Sequence, residues 1–329
     1  MKTKRRIKKG PIIALVVFII FIVLSIAGFK LYKYYTSAEY KLGKVGYNEK
    51  EVAYLVKADD EILNKALKKY DEYLIPLTKE KYFLWKNYKV YKEYVNKKLQ
   101  ETNDINYSDI VTDVNVKRNY DYYTHTVKTD MSKDPGFLVN KYYSLPEKYA
   151  PKDIVDVSNT YAYGKLRLRK DAYEAFKEMF NAAKKDEITI ILNSGYRTYD
   201  EQKSVYEEYK NTKGVEYADG IAARPDFSEH QTGLALDIIT YGASGKTFDT
   251  TDAFKWLINN ADKYGFILRY PKDKEDITGY SYESWHFRYL GKELASKVKK
   301  SGLTFDEYYA YYLDGEWLWK REDLRKSRL

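Results

Sequence analysis

Apolar and polar positions divide the chain into three stretches with different periods. From Pro11 to Phe29 the residues are apolar apart from Ser25, and no charge interrupts them. A helix rises about 1.5 Å per residue, so roughly 20 such residues cross the hydrocarbon core of a bilayer. The second stretch, 30–115, is lysine-rich and helical in period. Val52, Leu55 and Val56 share a face, as do Ile62, Leu63 and Leu67, and Tyr88, Tyr91 and Tyr94 follow at helical spacing. From about residue 116 helix and strand periods alternate. Ala172, Ala175, Phe176, Met179, Phe180 and Ala183 make one apolar stripe, with Asp171 placed to cap it. Strand-like runs are expected at 188–192, 233–239, 266–270 and 285–290, and helices at 200–210, 251–264, 292–300 and 304–313. This order predicts an α+β fold, a small antiparallel sheet with flanking helices, after one transmembrane helix and a helical stalk.

The expected organisation is therefore a basic tail (1–10), an anchor (11–29), a stalk or small accessory module (30–115) and a catalytic domain (116–329). Charge orients it. Lys2, Lys4, Arg5, Arg6, Lys8 and Lys9 supply six of the net +9. By the positive-inside rule this cluster puts the N-terminus in the cytoplasm and the rest outside, as a single-pass protein of the cell membrane. The alternative is a cleaved signal peptide. Against it, the apolar run is long for a signal and no small-residue cleavage site follows. The remainder of the chain is only mildly basic, so no nucleic-acid partner is expected, and no motif indicates a protein partner. The chain has no cysteine, which excludes a thiol nucleophile, a disulfide framework, a Cys-ligated zinc site and a lipoprotein anchor.

There are three histidines, and two stand in polar constellations. In Ser228-Glu-His230-Gln-Thr-Gly233-Leu-Ala235-Leu-Asp237, a strand from Gly233 would turn Ala235 and Asp237 to one face, beside a histidine on the preceding loop. Such a pair can offer nitrogen and oxygen ligands to a metal, or be a His–Asp hydrogen bond on a surface loop. In Glu283-Ser-Trp285-His286-Phe-Arg288-Tyr289, the aromatic residues share one strand face and His286 and Arg288 the other, with Glu283 on the turn before them. This too can be read as a half-buried aromatic strand with a polar outer face. Taken together, His230, Asp237 and His286 amount to three ligands with a fourth position for water, the open coordination of catalytic zinc. Glu283 then stands where it could take a proton from that water. Arg197, in Ser194-Gly-Tyr-Arg197, could hold a substrate carboxylate or an oxyanion, or form a surface salt bridge. His125, among tyrosines and threonines, reads as an ordinary polar histidine.

The pattern Ser-x-His-x-x-Gly-x-Ala-x-Asp, followed by Glu-x-Trp-His and preceded by Ser-Gly-Tyr-Arg, resembles the VanY-type D-alanyl-D-alanine carboxypeptidases over about residues 115–313. The resemblance implies the Hedgehog/D-Ala-D-Ala peptidase fold. It implies that His230, Asp237 and His286 bind Zn2+, that Glu283 is the general base and that Arg197 assists. It further implies that Gln202, Tyr206 and Ser228 line the substrate pocket. The expected activity is removal of the terminal D-alanine from peptidoglycan stem peptides. An L,D-carboxypeptidase acting on the tetrapeptide, or a catalytically silent wall-binding module, would carry the same metal ligands. One departure is Asp226, where the resemblance leads us to expect glycine.

Overall fold

A computed structural model describes residues 9–245 and 247–314. The basic cluster ahead of Lys9, and 315–329 of the expected catalytic domain, lie outside the described residues. The chain divides into two compact units, Met1–Phe83 and Leu84–Leu329.

The first unit opens with helix α1 (Lys9–Thr36). Within it, Ile13–Thr36 is long and apolar enough to cross a membrane. Ile13, Phe18, Phe21, Leu24 and their neighbours are exposed all round the helix, a surface suited to lipid. Four short helices follow: α2 (Ala38–Val45), α3 (Glu49–Leu55), α4 (Asp60–Lys68) and α5 (Leu74–Thr78). Side chains of Ser37, Asn48 and Asp59 cap the first three, the Asn48 cap being reciprocated by Glu51. Leu42, Leu55, Ala66 and Leu77 are fully buried, so the helical periodicity read in 52–67 folds into a small core of its own.

The second unit begins with α6 (Tyr88–Lys98) and α7 (Tyr107–Asn115). The sequence reading counted both with the stalk, but the compact division falls earlier because their polar groups close on each other and on later residues. Tyr91 Oη donates to Asn115 Oδ1 at 2.5 Å, Tyr94 Oη to Asp113 Oδ2 at 3.0 Å, and Tyr311 Oη to Thr112 Oγ1 at 3.3 Å. Two small sheets come next, β1 (Val127–Lys128) parallel to β2 (Tyr143–Ser144), and β3 (Ile154–Val157) antiparallel to β4 (Leu166–Arg169). Helix α8 (Lys170–Lys185) buries Ala172, Ala175, Phe176, Met179 and Ala183, the stripe read from its period. Asp171 is not its cap. It lies inside the first turn, Arg169 holds the cap position, and a carboxylate there still favours the helix dipole.

The principal sheet contains β5 (Ile191–Ser194), β6 (Ala235–Ile239), β7 (Phe266–Tyr270) and β8 (Glu283–Tyr289). Its order is β5-β6-β8-β7 and all its pairings are antiparallel. Between strands run α9 (Tyr199–Lys213), α10 (Val215–Ile221), α11 (Asp252–Asn260) and α12 (Glu275–Thr278); α13 (Lys292–Ser301), α14 (Phe305–Tyr308) and a π-helical turn (Tyr309–Leu313) close the described chain. Period-2 alternation sorts the strand residues onto two faces. Leu236, Ile238, Phe266 and Phe287 join Phe176 and Met179 of α8 in the main core, where each large side chain contributes about 1.5–3 kcal/mol by burial. The other face carries Asp237, His286, Arg288, Ile267 and Arg269. It is not the polar outer face that was the alternative reading of the β8 segment. Leu138, Tyr142 and Phe305 cover it in a second apolar cluster with Ile267, so its charged groups are enclosed.

Candidate metal centre and active-site cleft

Strand register builds the site. Asp237 on β6 is directly opposite His286 on β8, and Ser194 on β5 is opposite Asp237. Directly opposed residues of an antiparallel pair project to the same face, so Asp237 and His286 stand side by side. His230 arrives from the 3₁₀ turn Glu229–Thr232, which Gly233 ends in the left-handed region at φ 68°. The strand therefore starts two residues later than the sequence suggested. A Cβ on Gly233 would lie 2.8 Å from both Arg169 Cγ and Ile154 Cδ1, so backbone strain and crowding both select glycine. Gly233→Ala is expected to lower stability by about 2 kcal/mol or more, read from the shift of the denaturant midpoint. A shift worth under about 0.5 kcal/mol would mean that the turn repacks freely.

His230, Asp237 and His286 each offer one ligand atom, the three atoms lie within 4.8 Å of one another, and all three residues are buried. His230 Nε2 is 3.5 Å from Asp237 Oδ1, and His286 Nδ1 is 3.2 Å from it. The imidazoles meet edge to face with centroids 4.9 Å apart. His230 Nδ1 donates to Gly195 O at 2.7 Å, which leaves Nε2 as the lone-pair nitrogen facing the centre. Gly195 packs against the strand β4 backbone, where a Cβ would sit 2.5 Å from Arg167 O. Asp237 Oδ1 is buried with no hydrogen-bond partner, a costly state for a carboxylate oxygen unless a cation meets it. Two imidazole nitrogens and one carboxylate oxygen, converging and oriented from behind, fit a zinc ion. Burial alone would raise the Asp237 carboxyl, but His230 and His286 hold it well below the usual carboxylate range.

Glu283, the first residue of β8, places Oε2 3.6 Å from His286 Nδ1. Burial pushes its carboxyl up to about 7. Arg197 sits across the cleft, with Nη2 3.8 Å from Asp237 Oδ2. It is aimed by neighbours, as Nη1 donates to Gln202 Oε1 at 2.8 Å and Nη2 to Ser194 Oγ at 3.3 Å. Ser228 Oγ donates to the same Gln202 oxygen at 3.1 Å, and Gln202 Nε2 donates to Ala223 O at 2.7 Å. The Gln202 carboxamide is thus spent at both ends on protein groups. Arg197, Gln202, Ser228, Glu283 and the three donors all line one cavity of about 210 Å³. Tyr206 does not line it. Its hydroxyl donates to Asp219 Oδ1 at 2.8 Å, and its ring packs with Ala218 and Ala222 behind the wall. His125 is exposed elsewhere and stacks on Tyr120.

Asp226 adopts φ 65°, the backbone that would favour glycine. Asp tolerates that region, and here Gln231 fixes it. Asp226 N donates to Gln231 Oε1 and Gln231 Nε2 to Asp226 Oδ1, both at 2.9 Å.

Sequence reasoning missed a charged layer behind the donors. Glu229, Arg269, Arg288 and Asp306 are all buried. Glu229 Oε1 accepts from Arg269 Nε at 2.8 Å and Arg288 Nη1 at 2.9 Å. Asp306 accepts from Arg269 at 2.5 and 3.2 Å and from Asn140 Nδ2 at 2.8 Å. Burial alone would raise the Glu229 carboxyl, but the two guanidinium charges hold it well below its usual range. The signal available was Arg269 inside the otherwise apolar run Phe266–Tyr270.

Known proteins resemble this arrangement. A model of the VanY family, described as D-alanyl-D-alanine carboxypeptidase, matches residues 165–292. The putative carboxypeptidase YodJ of Bacillus subtilis (strain 168) is 44% identical over 182 residues, which are 52% of this chain and 66% of that protein. A D-alanyl-D-alanine carboxypeptidase of Enterococcus faecium is 38% identical over 53% of this chain and 57% of its own length. The chain thus spans less than two thirds of each. Among solved structures, the LdcB LD-carboxypeptidase is 44% identical, with a TM-score of 0.51 over 53% of this chain and 85% of that one.

Proposed function

Because the chain belongs to the VanY family of D-alanyl-D-alanine carboxypeptidases, we propose that it is a zinc-dependent carboxypeptidase that releases the terminal D-alanine of peptidoglycan stem peptides. The observation that carries this reading is the buried His230–Asp237–His286 donor set with a carboxylate and a guanidinium in the same cavity. His230, Asp237 and His286 would hold the zinc. When bound, zinc acts as a Lewis acid that acidifies water and polarises a carbonyl. Glu283 takes the proton from the attacking water on a carboxylate oxygen and delivers it to the departing amine of D-alanine. Arg197, held by Gln202 and Ser194, binds the carbonyl oxygen or the terminal carboxylate with its guanidinium N–H groups. Ser228 and Gln202 act through Arg197 and the cavity wall. Ala222 and Ala223 leave room in that wall for a methyl side chain.

Retention of a carboxylate at Glu283 speaks against the silent wall-binding alternative, since binding alone needs no base. We place the enzyme at the cell membrane, anchored by α1 with the catalytic domain outside, where its substrate lies. The leading substrate is the pentapeptide stem, a D,D cleavage. The likeness to LdcB at 44% identity favours a second reading, an L,D cleavage of the tetrapeptide.

The test is mass spectrometry of purified pentapeptide and tetrapeptide muropeptides incubated with the full chain in detergent, with and without a chelator. Loss of one alanine from the pentapeptide, stopped by the chelator, is the expected result. The same loss from the tetrapeptide alone would move the assignment to the L,D class. No loss from either by zinc-loaded protein would overturn the carboxypeptidase reading.

A further inference from the structure

We propose that Glu229 is a positioning residue for the metal centre, its carboxylate accepting the Nε2–H of His286 and so turning the Nδ1 lone pair towards Asp237 and His230. The inference rests on the assignment of those three residues as metal ligands. Glu229 Oε2 lies 3.4 Å from His286 Nε2. An imidazole that ligates a metal carries a single proton, and a carboxylate beside its other nitrogen accepts that proton. The proton of His286 therefore belongs on Nε2, and Nδ1 is left free at 3.2 Å from Asp237 Oδ1. This mirrors His230, whose Nδ1–H is taken by Gly195 O. Each histidine has a fixed acceptor behind it, one a backbone carbonyl and the other a carboxylate.

Glu229 can perform this task because its other oxygen is fully committed. Arg269 and Arg288 hold Oε1, and both guanidinium groups are anchored in turn. Arg288 Nη2 donates to Pro135 O and Phe137 O at 2.9 Å each, while Asp306 grips Arg269. Two carboxylates and two guanidinium groups balance in charge. The anchors come from 135–140 and 304–308, outside the region 165–292 that matches the family. The orientation of His286 thus depends on chain segments flanking the motif-bearing region.

Two measurements on the full chain in detergent micelles test this. In zinc-loaded protein labelled with 15N-histidine, ring correlation spectra should assign the proton of His286 to Nε2 and the metal to Nδ1. Only three histidines need assignment, and a His125→Gln sample removes one. A metal on Nε2 would overturn the inference even if no Glu229 variant folds. Zinc affinity by chelator competition should fall at least about tenfold in Glu229→Gln. In Asp306→Asn, which loosens the same network one step further from His286, it should stay within about threefold while the melting temperature drops. An unchanged affinity in folded Glu229→Gln, or equal losses in both variants, would also overturn it. If the wild-type chain binds no zinc, the ligand assignment itself fails, an outcome distinct from all of these.

Discussion

Glu283→Gln is expected to reduce D-alanine release by about 10²–10⁴-fold while the protein retains its zinc. In free energy this is a loss of about 3–5 kcal/mol of transition-state stabilisation. The expectation comes from where the side chain stands. Glu283 lines the cavity but is not among the three donors that converge within 4.8 Å. Its carboxylate is 3.6 Å from His286 Nδ1, near enough to reach a water held between the donors and the substrate. Gln keeps the size and one acceptor oxygen but cannot carry the proton onward. The substitution therefore separates proton transfer from metal binding. Turnover by D-alanine assay and zinc content by elemental analysis check it together. Wild-type turnover would remove Glu283 from the base role; loss of zinc would make it a ligand instead. Asp237→Ala should show the complementary pattern, with zinc content falling along with activity.

The line between what sequence revealed and what it hid follows the range of the interactions. The helix stripe of α8 and the glycine stop at Gly265 (φ 93°) after the helical segment expected over 251–264 are set by residues within a few positions of each other, and so were readable. The Thr198 cap of α9 is equally local but was not read, and the helix was expected from 200. The strand 266–270 was read at its observed limits. The donor set was legible because Asp237 and its strand neighbours alternate, and because a histidine paired with a carboxylate is chemically conspicuous. What stayed hidden depends on partners distant along the chain. No local pattern says that Asp306 will meet Arg269, 37 positions away, or that Pro135 and Phe137 will lend carbonyls to Arg288. The alternation in β8 correctly separated Phe287 from His286 but could not tell that both faces would be covered. Likewise Tyr206 is an α9 residue one turn from Gln202, so its motif position suggested the cavity. Only the fold reveals that Asp219 claims its hydroxyl.

The largest expected effect on stability comes from that hidden layer. Arg269→Met should destabilise the second unit by about 3–5 kcal/mol. The Arg269 side chain is fully buried and bridges two carboxylates, Glu229 at 2.8 Å and Asp306 at 2.5 Å. Methionine fills much of the volume but supplies no charge. Glu229 would keep Arg288, whereas Asp306 would keep only Asn140 and become an ionised group without a counter-charge in a dry interior. The cost is the penalty of that stranded charge rather than the worth of the original pair. Neutralising it should recover part of the loss, so Arg269→Met with Asp306→Asn is expected to be more stable than Arg269→Met alone. All five tryptophans lie after Leu84, so tryptophan fluorescence during denaturant unfolding reports this unit without interference from the first. A loss below about 1 kcal/mol in the single variant, or no recovery in the double, would mean that the interior admits water at Asp306 and that the layer does not hold the sheet's second face.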